Sequence, residues 1–163
     1  MLSGVMILKK ATWKTYAFYV GMTELAGLLA GLISREATQL YQQTILKPAL
    51  SPPGWLFPVV WSVLYLLMGV GAARVSQTPA GKGALKIYWT QLAVNFLWPI
   101  LFFNFQLFGF AFFWLALLWG LIVWMTLSFL ELDRAAGLTQ LPYLLWVAFA
   151  GYLNLGVWML NRF

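Results

Sequence analysis

The chain has 163 residues, of which 63% are hydrophobic and 9% are charged, and its net charge is +6. It contains no cysteine and no histidine, which excludes disulfide bonds, thiolate chemistry, zinc sites and the usual axial ligand of haem iron. Four acidic residues leave little for general acid–base catalysis. We therefore expect no metal and no bound cofactor. Because the basic residues lie near predicted helix ends, we also expect no nucleic-acid partner.

The longest uncharged stretch predicts how the chain meets a membrane. No charged residue occurs in the 44 positions between Lys86 and Glu131, and a helix crosses a bilayer in roughly 20 residues. In hydrocarbon every backbone polar group must be paired within the protein, so the choice is between helices and a closed barrel. The apolar runs lack the alternating polarity of barrel strands. The sequence therefore predicts an all-α integral membrane bundle, folded as a single domain over residues 1–163.

A chain of this length has room for about five transmembrane helices with short loops between them. In chain order the predicted spans are 13–34, 55–75, 84–103, 107–130 and 139–160. Three prolines and a glycine between Lys47 and Trp55 stop any helix, so residues 35–54 are predicted to form a loop. The segment 76–83 is a turn by composition, and the polar residues at 104–106 give the only break in the 44-residue run. A further loop is predicted at 131–134.

The basic residues predict an orientation. Five spans place the two termini on opposite sides of the membrane. The basic residues on the N-terminal side are Lys9, Lys10, Lys14, Arg74, Lys82, Lys86 and Arg134, and those on the other side are Arg35, Lys47 and Arg162. By the positive-inside rule this distribution predicts a cytoplasmic N-terminus. The expected location is a bacterial cell membrane, with an organellar outer membrane left open.

Aromatic and polar residues inside the predicted spans share helical faces. The faces are defined by Trp61 and Tyr65 in the second span, Gln91, Asn95, Trp98 and Phe102 in the third, and Tyr143, Trp146, Ala150 and Asn154 in the fifth. Such faces can converge on one cavity, where a flat aromatic ligand would stack on the indoles and hydrogen-bond to the amides. The alternative is that the amides only cross-link helices. Tryptophans near span ends, such as Trp13, Trp55 and Trp158, are expected to be interfacial anchors.

Two features of the first span allow more than one interpretation. Glu24 is the only acidic residue predicted inside a span, which makes it a functional candidate by default. A proton-coupled transporter could use it, or it could be neutral and hydrogen-bonded. Gly27 and Gly31 form a small-residue surface, which lets a neighbouring helix approach closely. That surface serves either packing within one chain or a homodimer seam.

Three segments of the chain carry a family resemblance. They read KPxxSPPGWxFPxxWxxLYxxMG from Lys47, QLAxNFxWPxxFF from Gln91 and LPYLxWxAFAxxLN from Leu141. In this order and spacing they resemble the tryptophan-rich sensory protein and translocator protein family (TspO/MBR), also called the peripheral-type benzodiazepine receptor family. The resemblance implies a bundle of five helices, usually a homodimer. It also implies a ligand pocket beneath the loop at 35–54.

The resemblance also implies a function. Ligands in the family are porphyrins such as protoporphyrin IX, sterols in animals, and synthetic isoquinoline or benzodiazepine drugs. The residues matching the family pocket are Trp61, Tyr65, Asn95, Trp98, Phe102, Trp146 and Ala150, and those matching its lid are Pro52, Pro53 and Trp55. The shared helical faces add Gln91, Tyr143 and Asn154 to the pocket. The expected protein is a membrane receptor or carrier for tetrapyrroles, with a role in their transport, in sensing or in stress regulation.

Two departures from the family pattern bear on this expectation. Family members commonly carry a tryptophan where this chain has Leu50, and that tryptophan is tied to light-dependent porphyrin breakdown in some bacterial members. The proposed cholesterol motif is also missing, because no tyrosine follows Leu153. The alternatives left open are a light-dependent porphyrin-degrading oxidase, a small proton-coupled transporter that uses Glu24, and a structural or regulatory membrane partner with a vestigial pocket.

Overall fold

The structure is a computed structural model that describes residues 11–162. Lys9 and Lys10, which entered the predicted orientation, lie outside the described residues. The described residues are mostly helical and contain no strand. Its helices are α1 (Trp13–Ile33), α2 (Arg35–Thr44), α3 (Leu56–Val75), α4 (Gly81–Pro99), α5 (Phe108–Leu132), α6 (Arg134–Leu138) and α7 (Leu141–Leu160). The predicted all-α bundle is thus confirmed.

Close packing of α1 along α3 is the most extensive helix pairing in the bundle. It depends on Gly69, because a Cβ atom there would lie 2.5 Å from the Cα of Val20. Gly27 is equally constrained, since a Cβ atom at that position would collide with the ring of Tyr65. Gly31 differs, because among the described residues no neighbouring atom lies within 4 Å of the place that a Cβ atom would take. The small-residue surface of α1 therefore packs against α3 of the same chain at Gly27.

Helix α5 lies between α4 and α7 and packs against both. The buried core that joins them includes Met68, Tyr88, Ile122, Phe129 and Tyr143, each without exposed surface. Trp114 and Trp119 of α5 hydrogen-bond across these seams, to the carbonyl oxygens of Val94 and Leu144 at 2.8 and 3.2 Å. Lipid supplies no hydrophobic force between helices, so such packing and hydrogen bonds hold the bundle together.

A proline shapes the end of α4. Pro99 has no N–H to donate to the preceding turn, and the helix widens after it into a π-helical turn, Ile100–Asn104. The amide of Phe105 closes this turn on the carbonyl oxygen of Ile100 at 3.1 Å. The chain then reverses through Gln106, whose φ is 50°, into α5. The predicted break at 104–106 is confirmed in this place, although α4 itself ends at Pro99.

Two predicted loops contain helices. Residues 35–44 form α2, so the prediction of a loop over all of 35–54 is wrong there, and only 45–55 is irregular. The predicted loop at 131–134 is likewise wrong, since α5 continues to Leu132 and α6 begins at Arg134. The reason is local packing and capping. Tyr41 of α2 packs on the bundle, and the Asp133 side chain accepts the Ala136 amide as the cap of α6.

The helix ends gather at two opposite ends of the bundle. At one end, Asn104 after α4 hydrogen-bonds to the Ile33 carbonyl oxygen at the end of α1, at 3.2 Å. At the other end, Arg74 of α3 forms an ion pair with Asp133 after α5, with 2.8 Å between Nη2 and Oδ2. Helix α4 connects these two ends.

Within the described residues, four helical segments are long and apolar enough to cross a membrane. They are Trp13–Ile33, Leu56–Val75, Phe108–Leu132 and Arg134–Leu160. The mean hydropathy of α4 is too low to place it with these four segments. Its sequence includes two lysines, a glutamine and an asparagine, which lower its apolar character. The protein is thus a multi-pass integral membrane protein.

Candidate functional site

A chain of hydrogen bonds joins α3, α4 and α7 near the middle of the bundle. The Tyr65 hydroxyl donates to Asn95 Oδ1 at 2.8 Å, and Asn95 Nδ2 donates to the Tyr143 hydroxyl oxygen at 2.7 Å. The Tyr143 hydroxyl in turn donates to Gln91 Oε1 at 2.8 Å. Gln91 Nε2 lies 3.6 Å from the sulfur of Met68. We call Tyr65, Gln91, Asn95 and Tyr143 the polar hub.

The polar hub is buried and largely self-paired. All four of its residues are buried, and Gln91 and Tyr143 have no exposed surface. Gln91 and Asn95 lie four residues apart on α4, so one helical face presents both amides to the two tyrosines. Buried amides of this kind fix helices against each other. The structure therefore supports the cross-linking interpretation of these two amides, and a ligand would meet the hub through its aromatic edges.

Trp61 covers the hub from α3. Its indole lies 5.5 Å from the ring of Tyr65, one turn along the same helix, and 6.2 Å from the ring of Tyr143 in an edge-on arrangement. These separations are typical of favourable aromatic pairs. Trp61 is half-buried. Its ring therefore keeps a partly open face beside the hub.

Trp98, one turn beyond Asn95 on α4, belongs to a second aromatic cluster. Its indole stacks on Phe102 with 5.1 Å between ring centroids, and its Nε1 donates to Asn154 Oδ1 at 3.2 Å. Asn154 also donates to the carbonyl oxygen of Phe108 at 2.8 Å. Asn154 thus ties α7 to the end of α4 and the start of α5. The structure brings the three predicted residues Trp98, Phe102 and Asn154 together.

Trp146 lies on α7 one turn after Tyr143 and has its own ring partners, Phe57 at 5.9 Å and Phe149 at 5.7 Å. Its indole N–H is buried and has no hydrogen-bond partner within residues 11–162. Ala150, one turn further along α7, is buried in the same core as Tyr143. Trp61, Trp98 and Trp146 all pack against this core.

Two grooves on the surface of the described bundle bear on the site. The larger, of about 470 Å³, runs between α3 and α7 and is lined by Val59, Val60, Val63, Leu64, Pro142, Leu145, Trp146 and Phe149. The smaller, of about 220 Å³, lies between α5 and α7 beside Phe112 and Trp119. Trp146 is the predicted site residue that lines the larger groove, and neither Trp61 nor Trp98 lines it.

The segment after α1 covers the end of the site. The ring of Tyr41 on α2 contacts Phe102 at 5.4 Å and Phe103 at 5.1 Å. Burial raises the pKa of the Tyr41 hydroxyl to about 12. Lys47 Nζ lies 5.5 Å from the centre of the same ring and donates to the Gln42 carbonyl oxygen at 2.7 Å.

The irregular loop at 45–55 is fastened to α7. Asn161 makes two hydrogen bonds with the backbone of Leu46, at 3.0 and 3.1 Å, and the Tyr152 hydroxyl donates to the carbonyl oxygen of Ala49 at 2.9 Å. Sequence reasoning missed Asn161, Tyr152 and Tyr41. No signal in the sequence links the first two to the loop. The position of Tyr41 four residues before Ile45 could have shown that α2 has an apolar side.

The predicted lid residues lie in the last part of this loop. Pro52 is half-buried, whereas Pro53 and Trp55 are exposed. Trp55 is 69% exposed, which fits an interfacial anchor better than a wall of the pocket. Leu50 has a φ of 64° and is 80% exposed.

Comparison with known proteins identifies the family of this chain. The TspO/MBR family model matches residues 12–159. The chain belongs to the TspO/MBR family. It is 37% identical over 150 residues to Protein CrtK of Rhodobacter capsulatus, covering 90% of this chain and 92% of that protein.

Two further relatives are similar to this chain over most of its length. The chain is 34% identical over 151 residues to tryptophan-rich protein TspO of Chlorobaculum tepidum, covering 90% of this chain and 96% of the relative. It is 31% identical over 155 residues to translocator protein of Bos taurus, with 92% of each chain covered. The resemblance seen in the three sequence segments is confirmed. The matched region includes every predicted site residue.

Proposed function

We propose that this TspO/MBR family member is a membrane receptor or carrier for tetrapyrroles such as protoporphyrin IX. The binding site would lie between α3, α4 and α7, beneath α2 and the loop at 45–55. The observation that carries the proposal is the convergence of three helices on the polar hub, with Trp61 and Trp98 packed beside it. A flat macrocycle gains most from indole faces, and the hub would meet its edge through the rings of Tyr65 and Tyr143.

The chemistry of the rim supports an anionic, flat ligand. Lys47 lies above Tyr41 at the end of the site, and Arg35 begins the helix that carries Tyr41. A porphyrin could keep its carboxylates beside these cations while its ring lies among the aromatic side chains. Trp146 supplies a buried indole N–H without a partner among the described residues, which suits an acceptor on the ligand.

The proposal is binding and not photochemistry. Leu50 stands where family members commonly have the loop tryptophan. An aliphatic side chain cannot form the indole radical that light-dependent breakdown would require. Its outward exposure also leaves it poorly placed to stack on a buried macrocycle.

We further propose five crossings, a cytoplasmic N-terminus, a bacterial cell membrane and a homodimer. Helix α4 joins the two opposite ends of the bundle that carry Asn104 and Arg74, which supports a fifth crossing despite its two lysines. The basic residues at the Arg74 end support the orientation. Gly31, which has open space around it among the described residues, is available for close approach by a second copy.

Titration of the purified protein in lipid nanodiscs with protoporphyrin IX tests the binding proposal. Saturable quenching of tryptophan fluorescence is expected in the wild type. The double variant Trp61→Ala and Trp146→Ala should bind at least about tenfold more weakly, because each indole contributes about 0.5–1.5 kcal/mol beyond its buried area.

The matched control is Trp124→Ala, which removes an indole from the outer face of α5 where it is 60% exposed. It should leave the affinity unchanged. An affinity equal to wild type in the Trp61→Ala and Trp146→Ala double variant would remove the proposed site.

A further inference from the structure

Among the proposed site residues, Trp146 lines the groove between α3 and α7 on the outer surface of the described bundle. Helix α3 packs extensively on α1 but meets α7 at few residues, so the α3–α7 seam is loosely closed. Val59, Val63 and Leu145 on its walls are exposed. In the membrane these exposed walls face lipid chains. The groove is therefore an opening toward the bilayer core.

The groove is an open surface feature with an apolar lining. Its volume of about 470 Å³ lies within the ~300–1,000 Å³ of known ligand pockets. The seven lining residues other than Trp146 are aliphatic, proline or phenylalanine, so a charged ligand group would find no partner on these walls. A purely apolar ring would give up no hydrogen bond when it moves from the lipid chains into this groove.

Trp146 stands at the inner wall of the groove. Its side chain lines the groove, and its indole N–H is buried, with no hydrogen-bond partner in the described part of the chain. On α7 it follows Tyr143 of the polar hub by one turn, and Phe57 at the start of α3 touches its ring. A ring system in the groove would thus contact Trp146 before it reached the hub.

We propose that this groove is a lateral port, through which the macrocycle enters the site edge-on from the bilayer core. The inference rests on the proposed tetrapyrrole-binding function. The groove runs along α3 toward Val59, close to the loop at 45–55, so the ring can enter while its carboxylates remain near the polar end of the bundle. A route through the loop is disfavoured because Asn161 and Tyr152 fasten that loop to α7.

The test measures rates as well as affinity. The double variant Val63→Phe and Leu145→Phe narrows the groove at two positions that are 50% and 71% exposed, so folding should tolerate both changes. The variant Leu145→Ala widens it. The control Leu127→Phe adds the same ring on the exposed face of α5. Protoporphyrin IX fluorescence after rapid mixing with nanodiscs gives the association and dissociation rate constants.

A port predicts that narrowing slows association and dissociation together by about tenfold, with an affinity within about twofold of wild type. The unchanged affinity also shows that the variant is folded. Leu145→Ala should accelerate both rates, and Leu127→Phe should alter neither. Saturable wild-type binding with unchanged rates in both groove variants would overturn the port and leave the binding proposal standing. Absence of saturable binding in the wild type would overturn the proposed function and the port with it.

Discussion

Asn95 is the residue on which the centre of the bundle depends. Its amide accepts from Tyr65 on α3 and donates to Tyr143 on α7, so one side chain of α4 joins three helices. The sequence predicted that these residues lie on inward faces, because helical spacing alone determines which residues share a side. It could not predict the pairing, since that depends on how far each helix is rotated about its own axis.

Replacing Asn95 with alanine should lower the free energy of unfolding by about 1–3 kcal/mol, because it breaks two hydrogen bonds that each contribute up to about 1.7 kcal/mol in membrane proteins. Reversible unfolding in mixed micelles, followed by circular dichroism, measures this. Thr90→Ala on the exposed side of α4 is the control and should change little. Equal stability of Asn95→Ala and wild type would show that the hub contributes nothing to the fold.

Asp133 has a pH-dependent role at the other end of the bundle. Burial opposes its charged form, but hydrogen bonds from the Ala136 amide and from Arg74 outweigh this effect and hold the pKa of the Asp133 carboxyl below its usual value. A carboxyl with a lowered pKa in the folded state stabilises the protein above its unfolded pKa of about 3.9. This contribution is lost as the pH falls through the folded pKa.

Unfolding midpoints of wild type and Asp133→Asn, measured from pH 6 to acid, should therefore differ at the neutral end and converge below about pH 3.9. The difference isolates Asp133 from the other acidic residues. A gap that stayed constant through the acid range would contradict the assigned role of the ion pair with Arg74.

At the scale of elements, hydropathy located α1, α3, α5 and α7 because the bilayer fixes their length and demands apolar surfaces. It failed for α2 and α6, which are short and partly polar, and which form because Tyr41 packs on Phe102 and Asp133 caps a turn. The hydrogen bonds that hold the loop at 45–55 to α7 could not be predicted, for a different reason. Asn161 and Leu46 are 115 positions apart, and neither residue type indicates its partner.

The packing of α1 on α3 can be tested with two glycines. Gly69→Ala should destabilise the protein markedly, because its new methyl group meets the backbone of Val20 and the helices must separate. Gly31→Ala has open space among the described residues of one chain and, in detergent that keeps the protein monomeric, should be neutral or stabilising by up to about 1 kcal/mol, since alanine favours a helix. Thermal unfolding of the two variants in detergent provides the comparison. If both behaved alike, the close approach at Gly69 would be wrong.

At the scale of the whole molecule, the proposed topology depends on α4. The chain has no native cysteine, so single cysteines give clean labels. Lys82→Cys at the start of α4 and Phe105→Cys after it are both exposed positions. An impermeant maleimide applied to intact cells should label Phe105→Cys and should reach Lys82→Cys only after permeabilisation. Labelling of both from the same side would mean that α4 does not cross.

The most direct measurement of the central claim is a structure of the protein with protoporphyrin IX in lipid nanodiscs. We expect the macrocycle between α3, α4 and α7, in contact with Trp61, Trp98 and Trp146. A macrocycle seated instead in the outer groove between α5 and α7, beside Phe112 and Trp119, with those three tryptophans untouched, would contradict it.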